Sequence, residues 1–137
     1  MLSDYKIVIT LPVQWGDIDA FGHMNNVRFF RFFESARIAY LEQMGILDHD
    51  GVGAILAMAS TKFKSPVFYP DTVKVGVKAN ELQQYGFMHN YAMFSEQQNK
   101  IVATGEGRIV SYDYEQKSKV EIPSKWIDKI RQIEGIG

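Results

Sequence analysis

The segment "WGDIDAFGHMNNVR", residues 15 to 28, gathers two aspartates, a histidine and two asparagines into one polar turn directly before the most aromatic part of the chain. A chain that leaves a strand and enters a helix presents several backbone N–H groups without intrahelical partners, at the positive end of the helix dipole. Such a helix start is suited to hold the negative charge that develops on a carbonyl oxygen. Asn25 or Asn26 can cap the helix, and Gly22 permits positive-φ geometry just before it. Asp19 lies a few residues upstream, within range of whatever those amides polarise. A carboxylate beside an oxyanion site is the equipment of acyl transfer: one group attacks or activates water, and donors hold the developing charge. The chemistry suggested is hydrolysis of an activated acyl compound.

The same residues also admit structural readings. An aspartate before a helix commonly serves as cap or turn former, and Asp17 fits that role whatever Asp19 does. His23 is either a structural hydrogen-bonding imidazole or a proton carrier. Asp17, Asp19 and His23 match no established metal-ligand spacing, so no metal is expected. No Ser-His-Asp arrangement is evident. Glu34 and Arg37, three apart on the following helix, are expected to form a structural ion pair, placed where subunits meet.

Several elements must position this turn. Residues 5 to 14, "YKIVITLPVQ", are β-branched and read as a first strand, with Pro12 suggesting an edge position. From Asn26 to Met44 there is no Gly or Pro, and Gly45 marks a stop, so the spacing predicts one long helix. At 100° per residue, Phe29, Tyr40, Phe33, Met44, Phe30, Leu41, Val27 and Ile38 share a broad arc, with Phe32 and Ala36 on the other side. An exposed Phe32 would suit a contact between dimers.

After a loop rich in Asp and Gly, "LDHDGVG", four further strands are expected, at about residues 54 to 65, 72 to 81, 87 to 96 and 100 to 113. Turn signals lie between them in "YPD", "QQYG" and "EQQNK". A short helix, at about residues 123 to 133, closes the pattern. Strand, long helix and four strands in succession predict a mostly antiparallel meander covering a single helix. One helix and one sheet face make a thin core for 9 Phe, 7 Tyr and 2 Trp, so a subunit interface is expected to take part of the apolar surface.

The 137 residues suit one domain, with 46% hydrophobic and 23% charged residues, values near globular averages. A formal net charge of -1 offers no general attraction to nucleic acid. The absence of cysteine excludes disulfides, thiolate metal sites and a cysteine nucleophile. The start lacks a basic region followed by an apolar run, and no stretch of about 18 apolar residues occurs, so neither a secretion signal nor a membrane span is expected. A cytoplasmic protein is the expectation.

The segment "VQWGDIDAFGHMNNVRFFRFFESARIAYLEQMG" resembles the hotdog-fold acyl-CoA thioesterases of the 4-hydroxybenzoyl-CoA thioesterase type. Their pattern of Asp-x-Asp, Gly-His-x-Asn-Asn and an aromatic helix with Glu-x-x-Arg is matched at Asp17, Asp19, Gly22, His23, Asn25, Asn26, Glu34 and Arg37. "FKSPVFYPDTVKV" is similar to the family's strand, turn and Asp before the next strand. The resemblance implies an α+β fold in which a curved, mostly antiparallel sheet wraps one long central helix, and subunits that pair edge to edge as homodimers or homotetramers. It implies Asp19 as nucleophile or general base, a backbone N–H near Asn26 polarising the thioester carbonyl, His23 in the catalytic turn, and no cofactor. Gly22, Lys62, Phe63, Lys64, Tyr85 and Gly86 are the candidate substrate contacts, the lysines for CoA phosphates, although Gln83, Gln84, Tyr85 and Gly86 depart from the small or basic residues that relatives often place in that turn. The expected site joins the Asp19 turn of one subunit to residues around 60 to 65 of its partner. Alternatives are a thioesterase acting on acyl carrier protein and a non-catalytic acyl-CoA binding or regulatory protein; the paired Asp and His signature of hotdog hydratases is not seen.

Overall fold

The computed structural model describes residues 2–47 and 51–136, so the Asp- and Gly-rich loop falls partly outside the described residues. The elements are β1 (Ile7–Pro12), a single 3-10 turn (Trp15–Asp17), α1 (Asn26–Met44), β2 (Val52–Phe63), β3 (Thr72–Gln83), β4 (Gly86–Ser95), β5 (Lys100–Asp113), β6 (Ser118–Lys119) and α2 (Ser124–Glu134). The result is an α+β arrangement: a six-stranded antiparallel sheet with α1 laid across one face.

α1 keeps the bounds that the Gly- and Pro-free run predicts. Asn25 is its N-cap, accepting the Val27 N–H on its side chain at 2.9 Å, and Gly45 ends it in the left-handed conformation at φ 75°. Strand order is β1-β3-β4-β5-β2, with β6 beside β5. Only β3, β4 and β5 form a meander. β2 does not pair with its successor β3; it lies against β5, with Val52 opposite Asp113 and Phe63 opposite Ala103. The connection 64–71 carries the chain past two strands, a choice made by long-range pairing that alternation within β2 does not encode. β1 and β2 are therefore the outer strands, which is where Pro12 is tolerated.

Alternation in β3 holds as expected: Val73, Val75, Val77 and Ala79 are buried against α1, while Lys74 points to solvent. The helix contributes Phe29, Phe32, Phe33, Ala36, Tyr40, Leu41 and Met44. Phe32 and Ala36 are thus core residues, contrary to the wheel reading, and Val27, Phe30 and Ile38 are exposed. The apolar arc is wider than the surface the sheet can cover. Packing selects the stripe 29, 32/33, 36, 40 and 44, spaced at i, i+3/4 and i+7, and leaves the flank above β2 uncovered. Phe33 stacks on Tyr91 with ring centres 5.0 Å apart. Its approach depends on Gly105, where a Cβ would lie 2.9 Å from the Phe33 ring and 3.0 Å from the Ser60 carbonyl oxygen.

Two polar nodes secure the frame. Buried Asp71 accepts from the Thr72 and Gln97 N–H groups at 2.7 and 3.1 Å and from the Ser95 hydroxyl at 2.5 Å, while its carbonyl accepts the Val13 N–H. This pins the exit of β1 to the start of β3. At the other end, one carboxylate oxygen of Glu134 accepts both the Tyr40 hydroxyl at 2.6 Å and the Ala79 N–H at 3.0 Å, joining α2 to α1 and β3. Burial, aided by Glu134, pushes the Tyr40 phenol well above its ordinary value.

His89 lies wholly inside, among Tyr40, Phe87 and Tyr91, and its Nε2 has no partner among the described residues. Burial, assisted by the charge of Arg37, pulls the imidazole from 6.5 down to about 3. The unfolded chain then binds a proton that the folded chain refuses between these values. Stability from this group is complete above pH 6.5 and is lost progressively as the pH falls toward 3. Urea titrations across this range should show a shallower pH slope for His89→Phe than for the parent; equal slopes would contradict the account.

Candidate functional site

The polar turn is built as a small closed loop. Gln14 N–H donates to Asp17 Oδ2 at 2.8 Å, closing the 3-10 turn from below. Ile18 and Met24 form an isolated antiparallel bridge, and inside it Asp19 N–H donates to the His23 carbonyl at 3.1 Å and Gly22 N–H to the Asp19 carbonyl at 3.0 Å. Gly22 occupies φ +85°, a region costly for residues with a Cβ. Met24 N–H donates to the Val67 carbonyl at 2.7 Å, so the loop is sewn to the β2–β3 connection as well.

The half-buried carboxylate of Asp19 accepts the Phe21 N–H at Oδ1, 2.9 Å away, and Oδ2 has no donor among the described residues. His23 Nδ1 lies 3.3 Å from the Met24 carbonyl oxygen. A carbonyl can only accept, so in this contact Nδ1 is the donor. At the start of α1 the Asn25 N–H is taken by the Asp17 carbonyl, the Val27 N–H by the Asn25 side chain and the Arg28 N–H by the Asn25 carbonyl. The Asn26 N–H has no acceptor among the described residues.

Asn26 and His23 line one recess of about 190 Å³, together with Phe29, Phe63, Lys64, Ser65 and Pro66. Four of the residues singled out from the sequence, His23, Asn26, Phe63 and Lys64, therefore meet within a single chain, and Asp19 and Gly22 belong to the loop that adjoins them. Phe63 is fixed there by an edge contact with Phe29 at 5.0 Å. Lys62 lines a separate, wider recess of about 470 Å³ with Tyr5, Asn90 and Thr104. Tyr85 and Gly86 form the β3–β4 turn at the other end of the sheet, and the fold does not bring them to this recess within the same chain. There Gly86 is packed so closely that a Cβ would sit 1.8 Å from the Ile109 carbonyl oxygen, while Lys119 Nζ lies 5.0 Å over the Tyr85 ring.

Sequence reasoning misses Pro66, whose place follows from the Met24–Val67 backbone bond, and a second cavity of about 280 Å³ along the uncovered flank of α1. That cavity runs between Val27, Phe30, Phe33 and Arg37 on the helix side and Leu56, Ala59 and Thr61 on β2. Thr61 Oγ1 faces no partner among the described residues. Glu34 joins Arg31 and, at 3.5 Å, Arg37 along the same wall, as an ion-pair reading of these residues requires. Among the described residues no group of three or more His, Asp or Glu side chains is set to hold a metal ion, and no helix is long and apolar enough to cross a membrane.

With this geometry the chain belongs to the thioesterase-like superfamily, whose family model matches residues 13–130. It is 32% identical over 88 residues to a protein of Aquifex aeolicus named for an esterase, covering 61% of this chain and 69% of that one. In structure it is similar to a Pseudomonas aeruginosa protein at TM-score 0.85 and 25% identity, over 96% and 94% of the two chains. It is also similar in fold to a thioesterase of Thermus thermophilus solved with coenzyme A and zinc, at TM-score 0.84 and 24% identity over 96% and 97%. The α+β architecture matches that of hotdog-fold thioesterases, and the family supports thioester hydrolysis as the general chemistry.

The turn itself is testable without any substrate. Gly22→Ala should cost about 1–2 kcal/mol in urea unfolding because a Cβ is disfavoured at positive φ, whereas Gly16→Ala, in open space at ordinary φ, should not. Equal losses at the two positions would show that Gly22 is not strained.

Proposed function

We propose that this protein hydrolyses acyl-CoA thioesters, releasing free acid and CoA. The observation that carries the reading is that Asn26, the first residue of α1, whose N–H has no acceptor among the described residues, lines the same recess as His23 and follows the loop bearing Asp19, whose Oδ2 has no donor among them. A thioester carbonyl seated there would accept the Asn26 N–H, and the helix dipole would add to the stabilisation of the oxyanion. Asp19 either draws the proton from a water that attacks the carbonyl carbon, the C–S bond breaking and that proton passing to the departing sulfur, or attacks the carbon itself. Direct attack expels the thiolate and forms a mixed anhydride that water then hydrolyses to the free acid, a proton of that water going to the thiolate. His23 lines the same recess, and a neutral imidazole with its proton on Nδ1 would present Nε2 to accept a hydrogen bond from water or the departing thiol.

Lys64 beside the recess suits the phosphates of CoA, and the cavity along α1 suits the acyl group. A homodimer or larger assembly is part of this reading. β2 ends the sheet with one edge unpaired, exposing Leu56 and Met58, and the adjoining flank of α1 exposes Val27, Phe30 and Ile38. Because Phe63, Lys64 and Ser65 come from the same chain as Asn26, the second copy would serve to roof the cavity and pair the edge. Sedimentation should find a dimer or larger species, and a fully active monomer at assay concentration would remove the second copy from the reading.

Three substitutions at two residues test the chemistry by following thiol release from a panel of acyl-CoAs. Asp19→Asn should lower turnover by about 10²- to 10⁴-fold with the fold retained, and activity within threefold of the parent would sink the assignment. Asn26 is the first helical residue, where proline is well tolerated, and Asn25 already has the extended geometry proline requires before it, at φ -62° and ψ 138°. Asn26→Pro therefore deletes the N–H with little disturbance of the helix and should lower kcat about 10²- to 10³-fold. Asn26→Ala, which keeps the N–H, should retain most activity; the opposite ranking would assign the role to the side chain.

A further inference from the structure

Asp17 holds a position that a simple turn former does not need. It is a buried carboxylate, and both its side chain and its main chain are committed to the elements on either side of the catalytic loop. Oδ2 takes the Gln14 N–H at 2.8 Å, on the exit of β1, and the Asp17 N–H returns to the Gln14 carbonyl at 2.9 Å. Forward along the chain, the Asp17 carbonyl takes the Asn25 N–H at 3.0 Å, and Oδ1 lies 3.4 Å from Arg28 Nε. Residues 25 and 28 are the N-cap and third residue of α1 and bracket Asn26.

From these contacts we infer that Asp17 is a positioning residue for the proposed hydrolysis: it sets the place of the Asn26 N–H relative to the Asp19 carboxylate. The inference rests on the reading of Asn26 and Asp19 given above. Residues 18 to 24 lie between two anchors on one residue, the Gln14 bond behind and the Asn25 bond ahead. Any shift of Asp17 therefore moves the Asp19 loop and the helix start relative to each other. The neighbouring anchors are independent of it, since Val13 is held by Asp71 and Met24 by Val67. Loss of the Asp17 carboxylate should thus leave the fold intact and loosen only the joint between loop and helix. Arg28, with its side chain 46% exposed, is the solvent-facing half of the clamp, so its removal should have the smaller effect.

The test compares Asp17→Asn, Arg28→Gln and the double variant, using hexanoyl-CoA and benzoyl-CoA as probes and a thiol reagent as readout. Asp17→Asn should lower kcat about tenfold or more with KM within about threefold, because misplacement of a reacting group is felt in turnover. Arg28→Gln should lower kcat about threefold, and the double variant should be no worse than Asp17→Asn within about twofold, since both act through one clamp. In parallel, the Asn26 amide resonance and its hydrogen exchange should change in both single variants, while the amides of β3 stay unchanged. Turnover within twofold of the parent in both variants, losses that multiply in the double variant, or an unmoved Asn26 amide would each overturn the inference. If Asp17→Asn does not fold, Arg28→Gln, altered at a part-exposed residue, carries the same comparisons. An inactive parent, or Asp19→Asn as active as the parent, would break the catalytic reading instead, and the Asn26 amide would still decide whether Asp17 sets the helix start.

Discussion

The rest of the molecule depends on the seating of α1 across the sheet through a single stripe of large side chains. Phe29, Phe33, Tyr40 and Met44 fill the space above β3 and β4, and Phe33 descends far enough to stack on Tyr91 only because residue 105 has no Cβ. Once the stripe is seated, rotation of the helix about its axis is no longer free: turning it would lift Phe33 from Tyr91 and Phe29 from Phe63. A rigidly seated helix has a fixed N-terminus. Its unpartnered N–H groups are then held at one end of the sheet, where the β1 exit and the β2–β3 connection also arrive.

What happens at that end follows from the need to satisfy backbone groups. Most of the N–H groups at the start of the helix find acceptors in the preceding turn, through Asp17 and Asn25, and the turn is itself sewn to Val67. The Asn26 N–H is the exception at the recess, and Asp19 retains an oxygen without a donor. Asn26 is exposed, and a free N–H on the first residue of a helix is left open to an external acceptor. The two neighbouring aspartates thus differ: Asp17 is buried with both carboxylate oxygens engaged, and Asp19 is half-buried and engaged at Oδ1.

The opposite flank of α1 shows the same division applied to apolar surface. The helix carries more hydrophobic residues than one sheet face can cover, and the excess, with the free edge of β2, borders a cavity containing Arg37 and Thr61. Apolar walls with a few polar groups are the usual make-up of a site for a small organic ligand. Beneath it, burial in the helix–sheet contact holds the His89 imidazole neutral and pushes the Tyr91 phenol up.

By itself the sequence determined what local physics controls. The bounds of α1 were readable because Asn25 and Gly45 act within a turn of their own positions, and β3 was readable because alternation needs no knowledge of a neighbour. The chemical character of the turn was readable for the same reason: residue types and short spacings place a carboxylate near a helix start whatever surrounds them. Tertiary structure decided everything that depends on distant segments. It paired β2 with β5, chose Phe32 and Ala36 over Val27 and Ile38 for the core, and set Phe63, Lys64 and Ser65 beside Asn26. A helical wheel records angles but not how wide a surface the sheet offers, and strand patterns record faces but not neighbours. The commitment of Asp17 to both sides of the loop of residues 18 to 24 belongs to this second class, since its carboxylate and carbonyl find Gln14, Asn25 and Arg28 only once strand and helix are brought together.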